Sequence, residues 1–275
     1  MIFTKRMSLE DKRFYSHVFR LVMPMAVQNL INVGVTSTDV IMLGKVGETA
    51  LSGVSLANQI YFILSLLYFG LTSGACVLTA QYWGKKDTRT IEKVMGMSFR
   101  ISILAGIVFA AAAFFFPYQL MRIFTADEAV IAAGVSYLKI VAFSYVLSAF
   151  TNVYLNIIRS IEQVVIATVV YGTSLAANIV LNAIFIFGLF GAPAMGAAGA
   201  ALGTLCSRAV EVVIVVFYAV KINHVVKIRF KDWFVKDKAL SKDFFTYALP
   251  VLLNEIAWGA GMAAISAIVG HLGSS

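Results

Sequence analysis

Long apolar stretches constrain this chain more than any other feature of its sequence. An α-helix needs about 20 apolar residues to cross the hydrocarbon core of a bilayer. Six complete runs of at least this length, and the greater part of a seventh, occupy residues 19–43, 51–82, 94–116, 130–157, 164–190, 196–220 and 244–270. With 60% hydrophobic and 13% charged residues, the chain is more apolar than a soluble domain requires. We therefore predict an all-α polytopic membrane protein.

The distribution of basic residues predicts the orientation of these helices. Lysines and arginines concentrate before the first run, between the second and third, after the fourth, and between the sixth and seventh. The alternate loops carry only Lys45 and Arg122. The positive-inside rule then places the N-terminus in the cytoplasm of a multi-pass protein of the cell membrane. The net charge of +8 indicates contact with anionic lipid headgroups, and no pattern typical of nucleic-acid binding accompanies it.

An internal repeat predicts how the chain is organised. Aligning Pro24 with Pro250 also aligns Gly44 with Gly270 and Gly47 with Gly273. The second copy comes six helices after the first, and an even offset makes the repeats parallel, as in transporters built from two like halves. We expect a cytoplasmic segment (1–18), a six-helix lobe (19–220), a cytoplasmic linker lying on the membrane surface (221–243) and the first helix of a second lobe (244–275). On this interpretation the sequence is a fragment of a twelve-helix protein, and helices eight to twelve are missing from it.

Polar side chains line one face of several predicted helices. A spacing of three or four residues places side chains on the same helix face. The first run carries Asn29, Asn32, Thr36 and Asp39; the fourth carries Ser144, Ser148, Asn152 and Asn156; the fifth carries Ser174, Asn178 and Asn182. At a rise of about 1.5 Å per residue, Asp39, Asn182 and Thr204 of the sixth run lie at compatible depths in the outer half of the membrane. We expect these helices to enclose a common polar interior, because lipid would leave each polar group unsatisfied.

Asp39 is the most informative of these residues. An ionised aspartate within a spanning helix costs about 2.5 to 3.5 kcal/mol, so a chain that keeps one generally uses it or pairs it. In a cavity, the carboxylate could exchange a proton or hold a hard cation such as Na⁺ through oxygen ligands. The alternative for the Asn, Ser and Thr residues is that they only link helices, at about 0.6 kcal/mol per hydrogen bond.

The other intramembrane charges have different interpretations. Arg208 and Glu211 are three residues apart, which favours a mutually neutralising pair. Glu255 lies in the middle of the seventh run, beside Asn254 and one turn from Trp258, and we regard it as a functional candidate. There is no phosphate-binding loop and no zinc-helix motif, so we predict neither an enzyme nor a resident cofactor.

Five stretches of the sequence resemble the multidrug and toxic compound extrusion (MATE) family. LVMPMAVQNLINVGVTSTDVIMLGKVG is similar to the family's first helix, with its proline, its aspartate and its closing L-G-x-x-G. GLTSGACVLTAQYWGKKD, NIVLNAIFIFG, GAPAMGAAGAALGT and ALPVLLNEIAWGAG are similar to the end of helix two, helix five, the turn into helix six, and helix seven. These matches occur in the family's order over nearly the whole chain.

The resemblance implies a secondary antiporter that exports cationic or amphipathic drugs in exchange for protons or sodium, by alternating access of two lobes. It assigns the cation or proton site to Asp39, Asn178, Asn182, Thr204 and, in the second lobe, Glu255. Asn182 stands where some members carry a second aspartate, which puts a two-carboxylate proton switch in doubt. The residues that we expect to line the drug cavity are Asn32, Thr36, Asn152 and Trp258.

Two alternatives remain open at this point. The first is a related flippase of lipid-linked oligosaccharides, which a cavity lined by several arginines would favour. The second is a non-transporting membrane subunit or remnant that binds only lipid or a partner protein.

Overall fold

Seven long helices account for most of the chain in the computed structural model, which describes residues 9–234 and 237–272. The long helices are α1 Leu9–Val46, α2 Glu48–Gly84, α3 Thr88–Phe115, α5 Glu128–Ser160, α6 Val165–Phe187, α7 Ala197–Phe217 and α8 Lys238–Leu272. A short helix, α4 Pro117–Phe124, follows α3. All seven long helices are sufficiently long and apolar to cross a membrane, which confirms the seven predicted spans. The described ranges contain no β-strand.

Side-chain caps mark where two of the spanning helices begin. Asp87 accepts hydrogen bonds from the backbone N–H and the hydroxyl of Thr90, at 3.0 and 2.6 Å, and so caps α3. The hydrogen bond from the Thr90 hydroxyl has the largest effect on the pKa of the Asp87 carboxyl, and the bond from the backbone N–H adds to it. Both lower this pKa below its ordinary value, so the cap is ionised at neutral pH. Asp127 caps α5 in the same way, through the N–H groups of Ala129 and Val130. Each cap satisfies backbone donors that would otherwise be free at a helix end.

Glycines allow α8 to lie directly against α2. A Cβ atom at Gly70 would come within 2.7 Å of the backbone of Leu252, and one at Gly74 would come within 2.6 Å of the backbone of Ala248. Small residues permit such close approach between spanning helices, where packing replaces the hydrophobic effect as the main driving force. Helix α2 also packs against α5, which in turn contacts α3 and α7. Helices α2 and α5 therefore form the centre of the bundle.

Helix α1 depends on polar contacts for its position, because much of its apolar surface is exposed. Near the middle of α1, the buried Gln28 accepts a hydrogen bond from Arg159 of α5 at 2.8 Å and donates one to Thr168 of α6 at 3.1 Å. Thr168 in turn donates to the carbonyl of Pro24 at 3.2 Å. This network fastens α1 to α5 and α6 where the chain carries the proline of its repeat.

The connection between α7 and α8 differs in part from the predicted membrane-surface segment. Helix α8 begins at Lys238, before the apolar run that predicted it, and a short 3₁₀-helix occupies Phe230–Phe234. Phe230 and Phe234 are more than 70% exposed, as a segment on a membrane surface requires. Val226 and Asp232, however, are buried, because the connection folds against the start of α3. Residues 235–236 lie outside the described part of this segment.

Arg89 of α3 holds this connection in place. Its two terminal nitrogens donate to the two carboxylate oxygens of Asp232, each at 2.7 Å, and one of them also donates to Glu92 at 2.8 Å. Glu92 also forms an ion pair with the side chain of Arg229 at 3.1 Å and accepts a hydrogen bond from the backbone N–H of Lys227 at 3.0 Å. A forked pairing of this kind adds geometric specificity to the charge attraction.

An aromatic stack completes the contact between the connection and the bundle. Trp233 stacks on Phe99 of α3 with ring centroids 5.2 Å apart, and Phe99 stacks on Phe150 of α5 at 4.9 Å. Gly96 lets the backbone of Asp232 approach α3, since a Cβ there would lie 2.8 Å from the Asp232 carbonyl oxygen. The connection is therefore a packed part of the bundle rather than a free tether.

We predict that Arg89→Gln opens this connection to proteolysis. The substitution leaves the buried carboxylates of Asp232 and Glu92 without their shared guanidinium, which raises the free energy of the closed form. Because Arg89 is about half exposed, we expect a moderate effect, with trypsin cleaving in residues 227–231 about tenfold faster under native conditions. Cleavage sites and rates are measured by mass spectrometry of timed digests.

Lys93→Gln is the matched control for this experiment. The Lys93–Asp237 pair joins the same two elements, but its atoms are 3.9 Å apart and both side chains are partly exposed. Its loss should leave the cleavage rate nearly unchanged. Equal rates in the Arg89 variant and the wild-type protein would show that Arg89 does not hold the connection.

Candidate functional site

A polar cavity of about 560 Å³ opens between α1, α2, α5, α6 and α7. Its size is that of a site for a small organic molecule. The polar and charged side chains that line it are Asp39, Ser55, Asn58, Tyr61, Ser65, Tyr137, Ser144, Asn152, Tyr171, Ser174, Asn178, Thr204, Ser207, Arg208 and Glu211. The cavity confirms that the polar stripes of several helices share one interior.

Asp39 of α1 is hydrogen-bonded to α6 at the wall of this cavity. The side-chain amide of Asn182 donates to a carboxylate oxygen of Asp39 at 2.6 Å and to the side-chain oxygen of Asn178 at 3.1 Å. Asn182 is completely buried and Asn178 is 3% exposed, so the carboxylate meets a fixed donor rather than a mobile one. The structure thus brings together Asp39 and Asn182, two of the three residues that depth along the helices predicted to meet, and adds Asn178.

Gly203 of α7 makes room for this arrangement. A Cβ atom at position 203 would overlap the side-chain oxygen of Asn182. With its oxygen turned towards the bare α7 backbone, Asn182 directs its N–H groups to Asp39 and Asn178. That oxygen has no hydrogen-bond partner among the described residues. The absence of a side chain at position 203 therefore fixes the orientation of the hydrogen-bond donor at this site.

Thr204 lies beside this group, and two further residues of the same wall were not predicted. Thr204 lines the cavity, as does Tyr137 of α5, whose hydroxyl donates to the side-chain oxygen of Asn58 at 3.1 Å. Asn58 could have been noticed in the sequence as an amide inside the second apolar run. Tyr137 gives no such signal, because a tyrosine in a spanning helix is not unusual.

The predicted drug-cavity residues have different positions in the structure. Asn152 lines the cavity, although its amide donates to the carbonyl of Ser148 in its own helix at 2.9 Å. The structure places Trp258 outside the cavity: it is 54% exposed on α8 and packs edge-on against Phe62, with ring centroids 5.7 Å apart. Helix α8, which carries Trp258, packs mainly against α2, whereas α1 packs mainly against α6. The side chains of Asn32 and Thr36 lie outside the described residues.

Glu255 occupies a separate pocket. A second opening of about 410 Å³ is bounded by Ser65, Leu66, Phe69, Asn152, Asn156 and Glu255. Ser65 and Asn152 line both openings, so the two pockets adjoin at these residues. The predicted ion-site residues therefore divide into one group around Asp39 and a single carboxylate on α8.

The predicted pair of Arg208 and Glu211 is confirmed. A terminal nitrogen of Arg208 lies 2.8 Å from Glu211 Oε1, and the hydroxyl of Ser174 donates to the same oxygen at 2.6 Å. Both residues line the cavity, and the guanidinium is the more accessible of the two, because Arg208 is 25% exposed and Glu211 is 1% exposed. The pair neutralises a charge that the bilayer would otherwise penalise.

Comparison with known proteins identifies relatives of this arrangement. A family model described as MatE matches residues 24–184. The probable multidrug resistance protein YoeA of Bacillus subtilis is 23% identical over 92% of this chain and 56% of its own length. The probable multidrug resistance protein NorM of Thermotoga maritima is 27% identical over 70% of this chain and 41% of its own length.

Solved structures show the same fold. One described as the outward-facing conformation of a multidrug resistance MATE family transporter of the MOP superfamily superposes with a TM-score of 0.79 and 25% identity. The match covers 90% of this chain and 54% of that structure. The chain thus spans about half the length of the curated relatives and solved structures that it matches.

We predict that Gly203→Ala destabilises the protein. The added methyl group displaces the Asn182 amide, and overpacking of this kind costs about 1 to 3 kcal/mol. The midpoint of thermal unfolding, followed by circular dichroism in detergent, should fall by about 2 to 10 °C.

Gly261→Ala provides the matched control, because Gly261 also lies within a spanning helix but has nothing within 4 Å of an added Cβ. Its unfolding midpoint should stay close to that of the wild-type protein or rise slightly. If both substitutions lower the midpoint equally, the contact between Gly203 and Asn182 is not what position 203 provides.

Proposed function

Because the chain belongs to the MatE family, whose members are transporters, we propose that it forms the first lobe and the following helix of a multidrug efflux antiporter. The transported molecules are cationic or amphipathic drugs, and the coupling ion is a proton or sodium. The drugs and the coupling ion cross the membrane by alternating access of two lobes around a central cavity. Helices that this chain does not contain complete the second lobe.

One observation carries this proposal: the carboxylate of Asp39 lines a drug-sized cavity and is hydrogen-bonded to an amide on another helix, whereas Glu211 in the same cavity is paired with Arg208. An ionised Asp39 attracts a cationic drug, whereas a protonated or ion-bound Asp39 does not. Because the drug and the coupling ion compete for the carboxylate of Asp39, outward drug release is coupled to inward ion movement. Asn182 donates a hydrogen bond and cannot take up a proton at this position, so a single acid performs the exchange in this lobe.

The site offers ligands for either ion. A proton needs only the carboxylate. A sodium ion prefers several oxygen ligands, and the carboxylate of Asp39 and the hydroxyl of Thr204 line the same cavity. Asn182 presents its N–H groups to Asp39, which supplies a hydrogen bond but no ligand for a cation. Glu255 in its adjoining pocket would contribute to a second ion site.

The charge distribution supports a cytoplasmic N-terminus and a location in the cell membrane. If each span crosses once, the connections with most of the basic residues share one side of the bilayer with the N-terminus. The hydrogen bonds between Arg89 and Asp232, which hold the α7–α8 connection, lie on this cytoplasmic side. Drug release then takes place at the opposite side, towards which the Asp39 end of α1 points.

The cavity gives little support to a flippase of lipid-linked oligosaccharides. Such a substrate carries a diphosphate, which several arginines would have to bind. Of the described residues that line the cavity, Arg208 is the one basic side chain, which is fewer than a diphosphate requires. A purely lipid-binding remnant would have no need for a buried amide aimed at Asp39.

We predict that Asp39→Asn abolishes drug efflux and leaves membrane insertion intact. The amide keeps the size of the side chain but cannot bind a proton or hold a cation by charge. Cells that express the full gene with this change should accumulate a fluorescent cationic drug to the level of cells without the transporter. Insertion is measured by the amount of protein in isolated membranes.

Glu48→Gln is the control, because it removes a carboxylate that is exposed at the start of α2. It should leave efflux unchanged. Dissipating the proton and sodium gradients in turn then identifies the coupling ion. Efflux that persists in the Asp39 variant at the wild-type rate would refute the proposal.

A further inference from the structure

We propose that Arg208 is a specificity-determining residue that binds the carboxylate group of transported amphiphiles. The inference deepens the proposed function, on which it rests, by adding molecules that carry an anionic group to the cationic drugs. Arg208 lines the same cavity as Asp39, the residue that exchanges ions in the proposed function, but it has a different role.

The hydrogen bonds of Arg208 leave one edge of its guanidinium unused. Both of its hydrogen bonds come from the same terminal nitrogen, Nη1, which donates to the two oxygens of Glu211 at 2.8 and 3.1 Å. Neither Nε nor Nη2 has an acceptor among the described residues. These two nitrogens form the edge of a guanidinium that pairs with both oxygens of a carboxylate.

Three helices hold Arg208 in this orientation. Glu211, its neighbour on α7, is itself fixed by the hydroxyl of Ser174 from α6 at 2.6 Å. The ring of Tyr61 from α2 lies against the guanidinium, with its centroid 5.8 Å from Cζ. Both side chains line the cavity, but Arg208 is 25% exposed and Glu211 only 1%, so the guanidinium is the more accessible member of the pair. The free edge is therefore held in place before a ligand arrives.

The surroundings select an aromatic carboxylate. Tyr61, Tyr137 and Tyr171 line the same cavity and offer ring faces and edges to an aromatic ligand. Little water competes at a partly enclosed site, so a charge-assisted hydrogen bond contributes more there than in bulk solvent. Asp39 lines the cavity too, and a zwitterion could place its ammonium group there and its carboxylate at Arg208.

The test compares the binding of three probes that share one ring. The full 275-residue chain in nanodiscs of zwitterionic lipid is titrated with 2-naphthoate, its neutral methyl ester, and 2-naphthylmethylammonium, and dissociation constants are measured by calorimetry. The wild-type protein should bind naphthoate at least about tenfold more tightly than the ester, as expected for hydrogen bonds to a charged group.

Two variants test the role of Arg208 while limiting damage to the fold. Arg208→Lys keeps the charge that Glu211 needs but loses the forked edge, so most of the preference for naphthoate should disappear. The double variant Arg208→Gln with Glu211→Gln removes both charges of the buried pair, and it should bind naphthoate no better than the ester. Arg100→Gln, which removes an intramembrane charge that does not line the cavity, should keep the wild-type preference.

The outcomes separate this inference from the proposed function. If the wild-type protein shows no preference for naphthoate, or the double variant keeps it, the role of Arg208 is refuted. The ammonium probe reports on Asp39 independently: its binding should be lost in Asp39→Asn, whereas the preference for naphthoate should survive. Loss of the preference in Arg208→Lys together with Asp39-independent binding of the ammonium probe would support the inference and count against the proposed ion site.

Discussion

The hydrogen bond between Asp39 and Asn182 is the interaction on which the rest of this structure depends. In the bilayer core no water is available to a carboxylate, so the protein must supply its partners or keep it in a hydrated cavity. This chain does both, because Asp39 receives the Asn182 amide and lines the cavity. Placing that amide requires the backbone of α7 to lie against α6, which only a residue without a side chain permits at position 203.

The need to pair polar side chains within the bilayer also explains how α1 is attached to the bundle. Most of its apolar surface is exposed, so side-chain packing contributes little to its position. Two polar contacts hold it instead: Gln28 with α5 and α6 near the middle of α1, and Asp39 with α6 nearer its C-terminal end. Asp39, the residue that we propose to bind the coupling ion, therefore also connects α1 to the bundle. A change in what Asp39 binds therefore acts directly on the contact between α1 and the remaining helices.

The sequence predicted those features that follow from periodicity and depth. Apolar runs located all seven spans, and helix rise placed Asp39 at the level of Asn182. The sequence could not predict how each helix is rotated about its axis. That rotation turns Trp258 away from the cavity and gives Glu255 a pocket of its own. The hydrogen bonds between Arg89 and Asp232 and the free edge of Arg208 depend on side-chain conformations between distant residues, which no local pattern encodes.

A double-mutant cycle on Asp39 and Asn182 tests most directly whether the two residues act as one site. The affinity of a cationic aromatic probe for the membrane-embedded chain is measured in the wild-type protein, in Asp39→Asn, in Asn182→Ala and in the double variant. If Asn182 acts by orienting Asp39, the double variant should bind no more weakly than Asp39→Asn alone, which gives a coupling energy of about 0.5 to 3 kcal/mol. Additive losses would show that Asn182 contributes independently of the carboxylate, and would contradict this account.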